Sequence, residues 1–322
     1  MKKICIVAGD PNSINSEIIF KALSKLNKKS KQKIILIGSF SLVKKQLERL
    51  KLKINLFKID EINQKANEDY IKIINVPVKF NDCFKVSRKN AANYVINCLN
   101  FAHDLCVKGK IKGFINCPIE KKLIAQKDIF GVTEFLSKKD NKKKFSEVMF
   151  LYNRKLSVVP ITTHIKIKDV SRNIRKQLIL KKMKTLFFFY KKLFKNYPKV
   201  AVLGLNPHNN ELSKDSEEIK EILPAIKILK KNYKISGPMV ADNFFKSDYK
   251  AYNVVVGMYH DQVLIPFKHL FRYNAINITL GLSYLRVSPD HGTARDIVFN
   301  KKANPRSLLE CIKFLDRLYK NG

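Results

Sequence analysis

The chain has 322 residues, 45% of them hydrophobic, and a formal net charge of +36 at pH 7. This length is sufficient for one large or two medium domains, and the absence of any apolar run of 18 residues excludes a membrane-spanning helix. The charge keeps nucleic-acid binding as an alternative, but the lysines are spread along the chain and form no stripe with aromatic residues. Attraction of a phosphorylated or carboxylated small substrate fits the charge equally well.

Short apolar runs alternate with helical segments along the whole chain. The first run, KICIVAG (3–9), is too short for a signal peptide and predicts a β-strand, so we expect a cytoplasmic protein. Further strands are predicted at 33–39, 54–59, 71–76, 113–118, 147–153, 156–163, 199–206, 252–259 and 275–282. Apolar residues spaced three or four apart predict helices at 15–28, 88–106, 175–194, 216–232 and 304–319.

This alternation predicts an α/β fold with a largely parallel sheet that is covered by helices on both faces. We expect two α/β/α subdomains with a cleft between them, the first from residues 1–130 with 260–322 and the second from residues 131–259. The six cysteines form no CxxC pair, and several lie in apolar segments. Reduced, buried thiols are therefore expected rather than disulfides or a thiolate metal site.

Three of the six histidines, His164, His208 and His260, follow apolar strands at their carboxyl ends. Ligands gather at this edge of an open α/β sheet. One such histidine is more often structural, but three together predict a shared divalent-metal site, because imidazole suits Zn²⁺, Co²⁺, Ni²⁺ or Fe²⁺. Three protein ligands also leave coordination positions open for a substrate. Asp261 could orient the neighbouring His260.

The motifs TTH, GLNPH, MYHDQ, NITLGL and DHGTA occur in this order in the sequence. With these motifs the chain resembles the 4-hydroxythreonine-4-phosphate dehydrogenase family of pyridoxal 5′-phosphate (vitamin B6) biosynthesis, from AGDPNSINSE to the last helix. The resemblance implies an isocitrate/isopropylmalate dehydrogenase-like fold and NAD as cofactor. It also implies a homodimer with the active site at its interface, where ligands are shared between subunits. His164, His208 and His260 would hold one divalent metal ion per site (Zn, Mg or Co).

The same resemblance implies four substrate contacts, namely Thr133, Lys268, Asn277 and Arg286. Lysine and arginine suit a phosphate or carboxylate, and arginine can bind it in bidentate fashion. Taken without the resemblance, Lys268 and Arg286 would be interpreted as solvated surface charges.

The segment DHGTARDIVFNKKANP resembles the loop that binds the adenosine of the nicotinamide cofactor in isocitrate and isopropylmalate dehydrogenases. The five residues of its first part would start a helix and offer backbone N–H groups to the cofactor; they are Asp290, His291, Gly292, Thr293 and Ala294. Asp296 would bond the ribose hydroxyls and disfavour the 2′-phosphate of NADP, although Arg295 beside it weakens this argument. The alternative is a capped surface helix.

The chain departs from the family pattern at several positions. GEPAGIGPE becomes GDPNSINSE, TGP becomes NCP at Asn116–Pro118, and the histidine of GHTEF is replaced by Val132. The resemblance implies oxidation of 4-phosphohydroxy-L-threonine at C3, after which the product decarboxylates to 3-amino-2-oxopropyl phosphate. Without the family's histidine, the candidate bases are Asp242, Asp261 or a metal-bound water. A dehydrogenase of phosphorylated threonate or erythronate and an inactive metal-binding homologue stay open as alternatives.

Overall fold

The computed structural model describes residues 3–125, 131–246 and 248–320. The chain divides into two compact units, one made of residues up to Lys142 and from Ser283 onward, the other of Lys143–Leu282. From the sequence we placed the two breaks at 130/131 and 259/260. The second break comes later because the segment after His260 packs into the second unit, where Val263 and Phe267 share a buried core with Val255.

Twelve strands form among the described residues. In chain order they are β1 (Ile4–Val7), β2 (Ile34–Gly38), β3 (Asn55–Ile59), β4 (Tyr70–Asn75), β5 (Gly113–Asn116), β6 (Val148–Tyr152), β7 (Ser157–Pro160), β8 (Val200–Leu203), β9 (Ile235–Met239), β10 (Val254–Gly257), β11 (Ile276–Leu280) and β12 (Leu285–Pro289). In the first unit the strand order is β3-β4-β2-β1-β5-β12, and all these neighbours are parallel. In the second unit the order is β11-β6-β7-β10-β8-β9. There β6 runs antiparallel to both β11 and β7, and the other pairs are parallel.

Eleven α-helices accompany these strands in the described part of the chain. They are α1 (Asn15–Ser24), α2 (Lys28–Lys31), α3 (Phe40–Arg49), α4 (Arg88–Val107), α5 (Val132–Lys139), α6 (Val170–Asn173), α7 (Lys176–Phe194), α8 (Leu223–Lys230), α9 (Ala241–Phe244), α10 (His260–Phe271) and α11 (Arg306–Lys320). In the first unit α4 packs on β1, β2 and β5, and α11 packs on β1 and β12; in the second unit α10 packs on β7 and β10. The predicted α/β class is confirmed.

All ten predicted strands and all five predicted helices are present, the fourth of these helices as a π-helical turn, Glu218–Ile222, that continues into α8. The sequence analysis missed β9 and β12. The sequence of β9 is ISGPM, and its glycine and proline argue against a strand interior, but β9 lies at the end of its sheet, where proline is tolerated. The sequence of β12, LRVSP, does not have the apolar pattern of a buried strand, because two of its five residues are polar.

The six cysteines are free and buried, as expected. Burial raises the pKa of the thiol at Cys5 to about 12, so this group stays protonated and behaves as a small apolar side chain. Within the residues that the structure describes, every helix is too short or too polar to span a lipid bilayer.

Candidate active site

The three histidines predicted as metal ligands follow three adjacent strands of the second unit. The central strand β10 pairs in parallel with β7 on one side and with β8 on the other, so their carboxyl ends lie at one edge of the sheet. His164 follows β7, His208 follows β8, and His260 follows β10 and opens α10. The chain after β7 is tied to the chain after β10, because Thr162 donates to the Met258 carbonyl from its backbone N–H (3.1 Å) and its hydroxyl (2.7 Å).

His164 and His260 are neighbours, with ring centroids 5.9 Å apart and ring planes inclined at 44°. The Nδ1 atom of His260 lies 2.6 Å from a carboxylate oxygen of Asp261. A carboxylate in this position accepts a hydrogen bond when Nδ1 carries the ring proton, which is the usual arrangement behind a ligating imidazole. The orienting role of Asp261 remains a prediction, and its carboxylate lies where that role requires it.

His208 lies in a left-handed turn whose consecutive residues have positive φ angles of 46° to 58°: His208, Asn209, Asn210, Glu211 and Leu212. Left-handed backbone costs most residues roughly 1–2 kcal/mol each, and asparagine tolerates it better. Runs of this kind persist where surrounding contacts enforce them, and they concentrate at functional sites. Here the Asn209 amide donates to the Pro238 carbonyl (3.2 Å).

Two carboxylates lie near the His208 ring. Asp242, in α9, is 4.0 Å from Nε2, and Glu211 is 3.6 Å from Nδ1. His208 and Asp242 are both more than half exposed. The structure thus places the candidate base Asp242 beside a predicted metal ligand.

Among residues 3–125, 131–246 and 248–320, no three histidine, cysteine or acidic side chains are grouped so that they could hold a metal ion. Within the described part of one chain, His164 and His260 are brought together, and His208 does not join them in such a group. The three-histidine metal site therefore remains a prediction.

Two side chains that the sequence analysis did not single out hold the backbone leading to these histidines. Glu218 is completely buried, and one of its carboxylate oxygens accepts hydrogen bonds from the backbone N–H groups of Leu205 (2.7 Å) and Asn206 (2.8 Å). Gln262 donates to the Gly204 carbonyl (2.7 Å) and accepts from the Met258 N–H (2.7 Å). The glycines at the two strand ends, in GLN and GMY, were the available sequence signal for this close packing.

Arg286, on β12 of the first unit, is buried, with only 4% of the residue exposed. Its guanidinium donates to Asn116 Oδ1 (2.6 Å) and to Thr133 Oγ1 (3.5 Å). Burial lowers the pKa of the guanidinium from 12.5 to about 10, and the nearby Glu134 carboxylate partly opposes this shift. The interpretation of Arg286 as a solvated surface charge is therefore wrong, since β12 carries it into the interior. Arg286 and Thr133, both predicted substrate contacts, are adjacent.

The other two predicted substrate contacts belong to the second unit. Lys268 is exposed on α10, and Asn277 is half-buried on β11. The buried side-chain oxygen of Asn277 has no hydrogen-bond partner among the described residues. Buried polar atoms of folded proteins nearly always have a partner, so this position suits a donor supplied by a bound molecule.

The predicted cofactor loop departs from the expected helix. Residues 290–294 are irregular, only one 3₁₀ turn (Arg295–Ile297) follows, and α11 begins at Arg306. Ala294 interrupts regular structure because its φ is 43°, in the left-handed region. The prediction of a helix starting at Asp290 is therefore wrong. The loop is nevertheless tied to the first helix, since the Ile14 N–H donates to the Thr293 carbonyl (3.2 Å).

Arg295 is held by two carboxylates of the first unit. Its guanidinium lies 3.0 Å from Asp10 and 2.5 Å from Glu120. The Asp10 side chain is fully buried, and it also accepts the Asn12 N–H (2.8 Å). The guanidinium of Arg295 therefore neutralises a buried carboxylate, whereas Asp296 beside it is exposed.

Comparison with known proteins gives a consistent family. The profile described as "Pyridoxal phosphate biosynthetic protein PdxA" matches residues 30–315. The chain is 37% identical over 320 residues to a 4-hydroxythreonine-4-phosphate dehydrogenase of Sulfurihydrogenibium sp., with 97% of each chain covered. It is 31% identical over 329 residues to a D-threonate 4-phosphate dehydrogenase of Pectobacterium atrosepticum, with 98% of this chain and 99% of the relative covered.

Solved structures agree with these relatives. The crystal structure of 4-hydroxythreonine-4-phosphate dehydrogenase from Klebsiella pneumoniae matches with a TM-score of 0.83 and 29% identity, covering 99% of both chains. The isocitrate dehydrogenase of Methylococcus capsulatus matches with a TM-score of 0.51 and 12% identity, over 99% of this chain and 86% of the other. The second likeness concerns the fold alone, and it confirms the fold relationship expected from the sequence.

Proposed function

The chain belongs to the PdxA family of pyridoxal phosphate biosynthetic proteins, and from this premise we propose that it is a 4-hydroxythreonine-4-phosphate dehydrogenase. It would oxidise 4-phosphohydroxy-L-threonine at C3 with NAD⁺, and the resulting β-keto acid would lose CO₂ to give 3-amino-2-oxopropyl phosphate. The observation that carries the proposal is the placement of three histidines at the carboxyl ends of the adjacent parallel strands β7, β10 and β8.

The residues present suit a divalent metal such as Zn²⁺, Mg²⁺ or Co²⁺. His164 and His260 are adjacent imidazoles, and the contact of His260 Nδ1 with Asp261 leaves Nε2 as the candidate ligand atom. We place His208 in the same ligand set, with a homodimer whose subunits share the ligands. A divalent cation there would supply Lewis-acid polarisation of the C3 hydroxyl.

Asp242 is the preferred base for the proton of that hydroxyl. Asp261 is already engaged with His260, whereas Asp242 lies 4.0 Å from His208 and is 60% exposed, so it can pass a proton on to water. A carboxylate beside the ligand set fits general-base work on an alcohol that is losing a hydride. Val132 stands where the family has a histidine, so that histidine cannot serve as the base in this chain.

Arg286, with the adjacent Thr133, would bind the substrate phosphate. Lys268 and Asn277 are further proposed substrate contacts, and the buried oxygen of Asn277 suits a substrate hydroxyl or amine as its donor. A phosphate dianion would offset the cost of the charge that Arg286 buries. Contacts remote from the reacting carbon would fix its distance to the base and to the cofactor.

NAD is favoured over NADP by the surroundings of the cofactor loop. We assign Asp290, His291, Gly292, Thr293 and Ala294 to the adenosine, and a Cβ built at Gly292 would have no atom within 4 Å, so the backbone there is open to a ligand. Asp296 is exposed and would bind the ribose hydroxyls. Arg295, the cation that could have accepted a 2′-phosphate, is held by Asp10 and Glu120. The six free, buried cysteines fit a reducing compartment such as the cytoplasm.

A second candidate substrate is D-threonate 4-phosphate, favoured by the relative of that name and by Val132, which alters a position that contacts substrate in the family. The two are separated by following NADH formation with NAD⁺ and each phosphorylated four-carbon acid in turn. The proposal expects the higher kcat/KM with 4-phosphohydroxythreonine. A higher value with D-threonate 4-phosphate would assign the second substrate, and turnover of neither would overturn the proposed function.

A further inference from the structure

The three histidine-bearing segments are joined by a continuous chain of hydrogen bonds. Thr162, two residues before His164, donates to the carbonyl of Met258, two residues before His260. The Met258 N–H donates to Gln262, and Gln262 donates in turn to the carbonyl of Gly204, four residues before His208. The primary amide of Gln262 is the element that links the β10 segment to the β8 segment.

Glu218 extends this network to the segment that leads into the strained turn. Its two oxygens receive the backbone N–H groups of Leu205 and Asn206 and the Asn206 side-chain amide (2.9 Å). A completely buried carboxylate is costly unless such donors satisfy it. Glu218 also opens a π-helical turn, a local distortion that is frequent at functional sites.

The strand ends are shaped to admit these side chains. A Cβ at Gly204 would lie 1.9 Å from Asn209 Oδ1 and 3.1 Å from Glu218 Oε1, and a Cβ at Gly257 would lie 2.9 Å from Gln262 Oε1. Both distances at Gly204 and the one at Gly257 are tighter than ordinary contacts of a Cβ atom. The absence of side chains at these two positions thus makes room for the network.

We propose that Gln262 and Glu218 are positioning residues: they hold the backbone segments that lead to His208 and His260 and thereby set the affinity of these imidazoles for the divalent cation. The inference rests on the proposed function, because it concerns the same histidines. It assigns to these two side chains a role beyond stability. Without them the strands would remain, but the loops that carry the imidazoles would no longer be held at fixed positions.

The test measures Co²⁺ binding to the full-length, chelator-treated protein by isothermal titration calorimetry and by the visible absorption of the bound ion. Gln262→Met removes both hydrogen bonds, whereas Gln262→Glu keeps the acceptor for Met258 and loses the donor to Gly204. Glu218→Gln keeps an acceptor for the two backbone N–H groups and serves as the conservative variant. We expect Gln262→Met to weaken Co²⁺ binding about 10–100-fold and to change the absorption spectrum, in the range typical of residues behind metal ligands. Gln262→Glu and Glu218→Gln should show smaller losses.

Asp140→Asn is the matched control for stability. Asp140 is also a buried carboxylate that accepts backbone N–H groups, from Ser283 (2.6 Å) and Lys142 (3.2 Å), but it lies in the first unit. It should lower the unfolding temperature without changing Co²⁺ affinity or the spectrum. Parental affinity and spectrum in Gln262→Met would overturn the inference while leaving the proposed function intact. Failure of the unaltered protein to bind Co²⁺, or equal binding by His260→Ala, would overturn the metal site itself and the inference with it.

Discussion

Replacing Arg286 by methionine should weaken the binding of phosphate esters while changing the stability of the unliganded protein by no more than about 1 kcal/mol. Only 4% of the residue is exposed, and burial lowers the pKa of its guanidinium from 12.5 to about 10. At about 1.36 kcal/mol per pKa unit, the charged form is disfavoured in the folded state by roughly 3 kcal/mol. A folded pKa below the unfolded one means that this cost is fully present below about pH 10 and disappears as the pH rises toward 12.5.

The net change is smaller than this cost because Arg286→Met also removes the hydrogen bonds to Asn116 and Thr133 and the attraction to Glu134. Bonds of this kind contribute about 1 kcal/mol each, so we expect the stability at pH 7 to change by no more than about 1 kcal/mol. Affinity for a phosphate monoester should fall at least about 30-fold, since removing one partner of a buried charge pair costs 2 kcal/mol or more.

Urea unfolding at pH 7, with and without a phosphate monoester, measures both effects, because a ligand that binds only the folded state raises its stability. Arg172→Met is the control, since Arg172 is 71% exposed and paired with Asp169, and it should leave stability and ester binding nearly unchanged. A loss of more than about 3 kcal/mol in ligand-free Arg286→Met, together with parental ester affinity, would refute the reasoning and make Arg286 a structural residue.

Further outcomes follow from single sites. Alanine at His208 or His260 should abolish NADH formation with modest loss of stability, and turnover within a few fold of the parent would contradict the metal role. Lys195 ends α7 in the left-handed region, with φ 66°, so Lys195→Gly should raise the free energy of unfolding by about 1 kcal/mol. Lys192→Gly, inside the helix, should lower it by about 1 kcal/mol, and the same sign for both would refute the argument. Burial lowers the pKa of His103 below 6.5, so its contribution to stability should be complete above pH 6.5, decline as the pH drops from 6.5 toward the folded pKa, and level off below it. His103→Gln should flatten this decline in urea unfolding, and an unchanged slope would assign the decline to other groups.

The framework of the fold was predictable from local pattern. Buried parallel strands read as continuous runs of valine and isoleucine, and β2, β8 and β10 are of this kind. Strands whose burial arises only from tertiary contacts gave no such signal. In β12 the arginine is buried by Asn116 and Thr133, which are distant from it in the chain, so its environment could not be inferred from the segment itself.

The histidine placement was also predictable, because each imidazole follows a recognisable strand. The hydrogen bonds that hold the histidine-bearing segments were not predictable, since Gln262 and Gly204 are 58 positions apart in the chain and meet only in the folded protein. The helix expected at Asp290 failed for a local reason. Ala294 adopts a left-handed conformation that its residue type does not favour, and nothing in the sequence marks it.

The most direct test of the central claim is NADH formation from 4-phosphohydroxythreonine and NAD⁺ by protein treated with a chelator, before and after Zn²⁺ or Co²⁺ is restored. The account predicts that turnover disappears on chelation and returns with the metal ion in the unaltered protein, but does not return in His260→Ala. Undiminished turnover after the metal has been removed completely would contradict it.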